Sequence, residues 1–157
     1  RKNKKCGNHS EDKMQPVYLP LTAESEEAKA EETIVLSNET LLQKFTIHFS
    51  ILPWNGGKVA KRDCVKYFDY DKMKCKPCLR TRDTGDYFIM DKEGRRKSLG
   101  RYFIDTKIPA SDRHGQLLLA DGSHIMWIIG GRISEFYKVS SETKRVLRVS
   151  MQEKEEN

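Results

Sequence analysis

The sequence predicts an α+β fold: an antiparallel or mixed sheet packed against a few short helices and preceded by a small β-rich connector. Residues 44–52 alternate apolar and polar side chains with the period of two of a half-buried strand. Apolar runs at 117–120 and 124–129 flank Asp-Gly-Ser, which is a strong hairpin signal. Residues 98–108 open with a serine that can cap a helix and carry apolar side chains at helical spacing.

The composition changes along the chain and predicts four regions. Residues 1–31 are polar, with an acidic run near their end, and we expect a linker that contains one short edge strand near Val17. Residues 32–77 form the β-rich connector. Residues 78–151 form a C-terminal domain, and residues 152–157 form a charged tail that we expect to fray.

Each further element has its own local signal. Short apolar runs predict strands at 33–36, at 65–70 and at 78–82, and the four consecutive apolar residues 126–129 predict a strand buried on both faces. A proline after the predicted helix ends it and can open a second turn that reaches Arg113. We expect extended structure again over residues 136–139 and a closing strand from Val146 to Met151.

The charge distribution favours a polyanionic partner. The chain has 157 residues, 29 Lys and Arg against 23 Asp and Glu, and a net charge of +6. Residues 58–113 alone hold sixteen Lys and Arg against nine Asp and Glu. Such clustering favours nucleic acid or an anionic surface, because each neutralised phosphate releases counterions. No run approaches the roughly 20 apolar residues of a membrane helix, so we expect no membrane span.

Five segments in sequential order resemble the C-terminal domain of the tRNA(Ile)-lysidine synthase family. They are LRTRDTGDYF (79–88), the glycine-basic stretch that ends in FIDTKIP (94–109), LLLADG (117–122), GGRISEFYKVS (130–140) and ETKRVL (142–147). Together they span about half of the chain.

This resemblance implies a bacterial ligase that uses ATP and Mg²⁺ to join lysine to the wobble cytidine of tRNA(Ile) with a CAU anticodon. It also implies that this fragment is non-catalytic and grips tRNA, including the acceptor stem, beside its own N-terminal catalytic domain. The expected location is the cytoplasm. Whether the parent enzyme forms a homodimer is left undecided by the sequence. We expect no cofactor here, because neither Gly56-Gly57 nor Gly130-Gly131 matches the family's phosphate-binding loop.

The candidate RNA contacts are basic residues of the resembling segments, since arginine forks suit the phosphates of an A-form stem. These residues are Arg80, Arg82, Arg95, Arg96, Lys97, Arg101, Lys107 and Arg113. Arg80 and Arg82 are expected on one strand face, with pairing to Asp83 or Asp86 as the alternative. Positions 95–97 are all expected to be exposed. Lys107 can instead pair with Asp105 or cap the helix, and we expect Asp86 and Asp105 to orient arginines.

Two other classes of protein stay open. Cys75 and Cys78 form a C-x2-C pair, with Cys64 and Cys6 elsewhere, so a small zinc or thiol protein is one alternative. We favour ordinary thiols and no metal, because a second ligand pair at suitable spacing is missing from the sequence. The other alternative is an interaction module that docks on its own catalytic half or on another protein.

Overall fold

The computed structural model describes residues 15–19, 32–38, 43–57 and 64–154. Within them, two sheets and two short α-helices confirm the predicted α+β class. The strands are Val17–Tyr18 (β1), Glu32–Asn38 (β2), Gln43–Pro53 (β3), Val65–Asp69 (β4), Cys78–Arg80 (β5), Tyr87–Ile89 (β6), Arg96–Ser98 (β7), Leu118–Asp121 (β8), His124–Ile128 (β9) and Arg145–Lys154 (β10). The α-helices are Leu99–Asp105 (α1) and Ala110–Arg113 (α2), and Tyr70–Lys72 and Glu135–Tyr137 are 3-10 turns.

The first sheet is mixed and has the strand order β1-β5-β8-β9-β6-β7. Its centre is the predicted hairpin of β8 and β9, in which Gly122 takes a φ of 64° that a side chain would disfavour. All five residues of β9 are buried, as expected for a central strand. Strand β6 pairs in parallel with β9, and the predicted edge strand is β1, which pairs with β5.

The second sheet is antiparallel and has the order β2-β3-β10-β4. Strand β10 begins in the predicted C-terminal domain but pairs with two strands of the predicted connector. One core therefore serves both regions, and it contains Leu19, Ile47, Phe49, Ile51, Phe68, Leu79, Leu117, Leu119, Met126, Trp127, Ile129, Tyr137, Leu147 and Val149. The connector and the C-terminal domain share this core, and a second, smaller cluster is formed by residues of the C-terminal domain alone.

Two local expectations are corrected. Residues 136–139 do not return to a strand, because the chain forms a 3-10 turn at Glu135–Tyr137 that buries Tyr137. The predicted frayed tail begins too early, since β10 stays paired with β3 as far as Lys154. Residues 1–14, 20–31 and 155–157 of the predicted linker and tail lie outside the described residues.

The second hydrophobic cluster positions the basic segment. Helix α1 begins after Ser98, whose hydroxyl accepts the N–H of Arg101 at 3.1 Å, as an N-cap should. The helix then buries Leu99 and Phe103 against the outer part of the first sheet. Strand β7, helix α1 and the loop before β6 thus lie together at one edge of this sheet.

Candidate nucleic-acid interface

The loop between β5 and β6 is held by a buried ion pair. The Arg80 guanidinium donates to both carboxylate oxygens of Asp86 at 2.9 and 2.8 Å, and also to the carbonyls of Thr81 and Gly122. The side chains of Arg80 and Asp86 are 13% and 2% exposed. The hydrogen bond to Asp86 raises the pKa of Arg80. These contacts match the alternative expectation, in which Arg80 pairs with Asp86, and they confirm that Asp86 orients an arginine.

Arg82 lies two residues beyond the end of β5, so the predicted strand over 78–82 is shorter than expected. Its guanidinium carbon is 5.6 Å from the centre of the Phe103 ring, and Arg82 is half-buried. Arg96, on β7, lies over the ring of Tyr87 at 3.8 Å and is exposed. Both arginines line an open cleft of about 530 Å³. The other lining residues are Asp83, Thr84, Gly85, Asp86, Tyr87, Ser98, Leu99 and Gly100.

Two of the candidate cations share one carboxylate. Lys97 Nζ is 2.7 Å from Asp105, and Arg101 Nε is 3.2 Å from the same side chain. The hydrogen bond from Lys97 lowers the pKa of Asp105. Two positive charges against one negative charge leave this part of the surface between β7 and α1 positive. Asp105 orients Arg101, as expected, and it also pairs with Lys97. The expected exposure of Lys97 is corrected, because its side chain is 21% exposed.

Arg95 lies at the end of the turn between β6 and β7. Its side chain is 70% exposed, and its Nε donates to Asp91 at 2.6 Å. Partial desolvation of Asp91 is outweighed by the hydrogen bonds from Arg95, so the pKa of Asp91 is lowered. Arg95 is accessible, yet an incoming phosphate would compete with this carboxylate.

The last two candidates lie at the ends of the helices. Lys107 has a φ of 57°, and the N–H groups of Lys107 and Ile108 donate to the carbonyls of Ile104 and Phe103. This is a Schellman cap, so Lys107 caps the helix through its backbone and leaves its side chain exposed. Arg113 is half-buried and donates from Nε to the carbonyl of Ile108 at 2.9 Å.

The sequence analysis missed two residues of this surface. Tyr87 supports Arg96, and Arg132 lies over the Phe88 ring at 5.0 Å while donating to the carbonyl of Met90. Both belong to segments that carry the family resemblance, LRTRDTGDYF and GGRISEFYKVS. A search for aromatic residues near the basic ones would have found Tyr87, whereas the place of Arg132 depends on the fold.

A row of rings continues from the cleft into the protein. Tyr87 contacts His124 with ring centres 4.8 Å apart, and His124 contacts Phe136 and Tyr137 at 5.3 and 4.7 Å. His124 Nε2 is 2.7 Å from the Ser134 hydroxyl. Burial, assisted by the charges of Arg96 and Lys74 and opposed by Asp121, lowers the pKa of His124 to about 4.

We expect the stability to fall as the pH is lowered, because His124 titrates differently in the two states. The unfolded chain protonates this histidine near pH 6.5, whereas the folded protein protonates it only near pH 4. As far as His124 is concerned, the free energy of unfolding is therefore highest above about pH 6.5, and it falls by about 2–3 kcal/mol as the pH approaches 4. Urea unfolding of the protein and of His124→Gln across this range measures the effect. Equal pH slopes in the two proteins would contradict it.

The described residues contain no group of three or more His, Cys, Asp or Glu side chains that could hold a metal ion. Cys64, Cys75 and Cys78 are free thiols, of which only Cys78 is buried. Cys6 lies outside the described residues. In the described part of the chain, no helix has the length and apolar character needed to cross a membrane.

Comparison with known proteins places this surface in a family. The TilS substrate C-terminal domain matches residues 78–151, a span that contains the cleft, β7, α1 and the central hairpin. This stretch belongs to the TilS substrate C-terminal domain family. All eight candidate RNA contacts lie inside it.

The curated relatives are tRNA(Ile)-lysidine synthases. The chain is 40% identical over 87 residues to the enzyme of Caldanaerobacter subterraneus, covering 55% of the chain and 19% of the relative. With the enzyme of Dehalococcoides mccartyi it shares 36% identity over 77% of the chain and 26% of the relative. With the enzyme of Parabacteroides distasonis it shares 33% identity over 85% of the chain and 31% of the relative. The chain therefore spans less than a third of the length of these relatives.

A solved structure has the same fold. The crystal structure of a TilS C-terminal domain superposes with a TM-score of 0.61, covering 88% of this chain and 97% of that one at 21% identity. This coverage is wider than the matched family region, residues 78–151.

Proposed function

We propose that this chain is the tRNA-binding C-terminal part of a tRNA(Ile)-lysidine synthase, and that it contacts tRNA phosphates, with the acceptor stem as the preferred region. The observation that supports this most directly is the positive surface formed by β7 and α1. Exposed cations lie there within a few residues of one another, and Asp105 neutralises only one of the two charges beside it. A-form helices are bound mainly through such phosphate and ribose contacts.

The whole enzyme's chemistry belongs to this proposal. The relatives are named tRNA(Ile)-lysidine synthases, so we assign the parent protein ATP-dependent lysine ligation at the wobble cytidine of tRNA(Ile), in the cytoplasm. ATP and Mg²⁺ would bind the catalytic half that this chain lacks. The fragment alone would then bind tRNA and form no lysidine.

The refined contact set differs from the sequence-based one. Arg82, Arg95, Arg96, Arg101 and Lys107 keep guanidinium or ammonium groups that reach the cleft or the solvent. Lys97 and Arg113 are partly buried, and their bonds to Asp105 and to a backbone carbonyl make them supporting residues of the same surface. Arg80 is excluded.

Salt dependence tests the proposal. We expect the double variant Arg101→Ala with Lys107→Ala to bind tRNA more weakly than the unchanged protein. For each phosphate that the variant no longer neutralises, the log–log dependence of affinity on salt should become shallower by about 0.7–0.9. Filter binding or fluorescence anisotropy at several salt concentrations measures both quantities.

Lys144→Ala is the matched control. Lys144 is exposed and lies beside the second sheet, in a depression that it shares with Asp69, Asp71 and Glu142. Its replacement removes one positive charge of the molecule but should leave the salt dependence unchanged. If the control, which removes one charge, shifts the dependence about half as much as the double variant, which removes two, only net charge matters. If neither protein binds tRNA in a salt-dependent way, the docking alternative replaces RNA binding.

A further inference from the structure

The cleft beside β7 presents a guanidinium group that lies against an aromatic ring. Arg96 lies 3.8 Å from the Tyr87 ring centre, close enough for contact between the two groups. Tyr87 is supported in turn by His124, which is 9% exposed. One side of the guanidinium is therefore covered by a ring with buried support, whereas Arg96 itself remains exposed.

The charges of the cleft favour an anion. Asp86 lines it, but both of its carboxylate oxygens accept from Arg80. The Arg80–Asp86 pair therefore contributes no net charge. The lining itself holds two arginines, Arg82 and Arg96, and two aspartates, Asp83 and Asp86. Because Arg80 is not a lining residue but neutralises Asp86, the cleft counted together with Arg80 has one net positive charge.

We propose that this cleft binds one unpaired nucleotide of RNA, with the base stacked on the free face of Arg96 and the phosphate held by Arg82. The inference rests on the proposed function and adds to it a single-stranded element of the RNA. Guanidinium planes and aromatic rings are the usual stacking surfaces for splayed-out bases. The cleft, at about 530 Å³, lies within the size range of small-molecule sites.

A base within a duplex cannot occupy this position, because its faces are covered by its neighbours in the stack. A duplex phosphate would use the charge and the fork of Arg96 but would not need a ring beside the guanidinium. The contact of Arg96 with the Tyr87 ring therefore favours a nucleotide site over a general phosphate contact.

Three RNA hairpins of the same stem separate these possibilities: a blunt-ended hairpin, one with unpaired 3′ nucleotides, and one whose overhang has riboses and phosphates but no bases. With the full chain, fluorescence anisotropy should give about tenfold tighter binding for the overhang than for the blunt end. The abasic overhang should keep less than about a third of this gain, since it has no base to stack.

Variants of the stack test its residues through the ratio of blunt to overhang dissociation constants. Arg96→Lys keeps the charge but removes the plane, and Tyr87→Leu removes the supporting ring, so each should reduce the ratio to about threefold or less. Tyr87→Phe keeps the ring and should keep the ratio, which separates stacking from loss of fold. The control is Lys92→Ala, an exposed cation in the neighbouring turn, which should leave the ratio unchanged.

Equal binding of the blunt and overhang hairpins would overturn the inference, as would an abasic overhang that binds as tightly as the complete one. A ratio that survives both Arg96→Lys and Tyr87→Leu would also overturn it. If the blunt hairpin binds in a salt-dependent way but the blunt and overhang dissociation constants are equal, the proposed function stands and the nucleotide site does not. If none of the three hairpins binds in a salt-dependent way, the proposed function and the nucleotide site are both contradicted.

Discussion

Replacing Arg80 with methionine is expected to lower the free energy of unfolding by about 3–5 kcal/mol, because it leaves a buried carboxylate without its partner. Asp86 is 2% exposed, and after the change its carboxylate would still accept the N–H of Asp83 but would lose the guanidinium that pairs with it. The flanking loop also forms one wall of the cleft, so RNA binding should weaken along with stability. Urea denaturation followed by circular dichroism measures the first effect.

Replacing Asp86, the other member of the pair, should lower the free energy of unfolding less. In Asp86→Asn, Arg80 keeps the carbonyls of Thr81 and Gly122 and an amide oxygen as acceptors, so we expect a loss of about 1–2 kcal/mol. Combining Arg80→Met with Asp86→Leu removes both charges and should recover part of the stability. If Arg80→Met costs less than about 1 kcal/mol, the pair does not hold the loop in the way described.

Replacing Asp121 with alanine is expected to cost about 2–4 kcal/mol, because three donors are deprived of one buried acceptor. The Asp121 carboxylate accepts from the backbone N–H groups of Lys74 and Cys75 and, at 2.6 Å, from the hydroxyl of Tyr137. Burial and this hydrogen bond raise the pKa of Tyr137, so its hydroxyl stays a donor. The residue joins the segment before β5 to the central hairpin.

Tyr137→Phe is the matched comparison, since it removes only one of these bonds and should cost less than Asp121→Ala. The thiol of Cys75 gives an independent readout. Partial desolvation and the adjacent Asp121 charge raise the pKa of Cys75, so Asp121→Ala should speed its alkylation near neutral pH in a background with Cys6→Ser and Cys64→Ser. Equal unfolding free energies for Asp121→Ala and Tyr137→Phe, together with an unchanged alkylation rate, would show that the carboxylate does not hold the turn.

The local patterns were sufficient for the main secondary-structure elements. Alternating side chains predicted β3, the Asp-Gly-Ser turn predicted the β8–β9 hairpin, and Ser98 predicted the start of α1. These signals succeed because they arise from interactions between residues close in sequence. The prediction for residues 136–139 failed because the burial of Tyr137 beside Asp121 outweighs the local preference for extended structure.

The grouping of elements into sheets depends on contacts between distant residues. Strand β10 lies at the end of the matched family region, yet it pairs with β3, about a hundred positions earlier in the chain. A residue count or a motif cannot show this, because strand pairing is selected by the total burial of both faces. The predicted connector therefore shares its sheet with the C-terminal domain.

The sequence by itself determined the fold class, the positive middle of the chain and the family resemblance, because composition, periodicity and ordered motifs are properties of the chain alone. Only the tertiary structure decided which cations can meet a ligand. Arg80 and Arg96 look alike in sequence, but folding places Asp86 against one and the Tyr87 ring against the other. The positive charge available to RNA depends on these pairings. A buried carboxylate nearby neutralises the charge of an arginine, whereas an aromatic ring orients the guanidinium and leaves its charge in place.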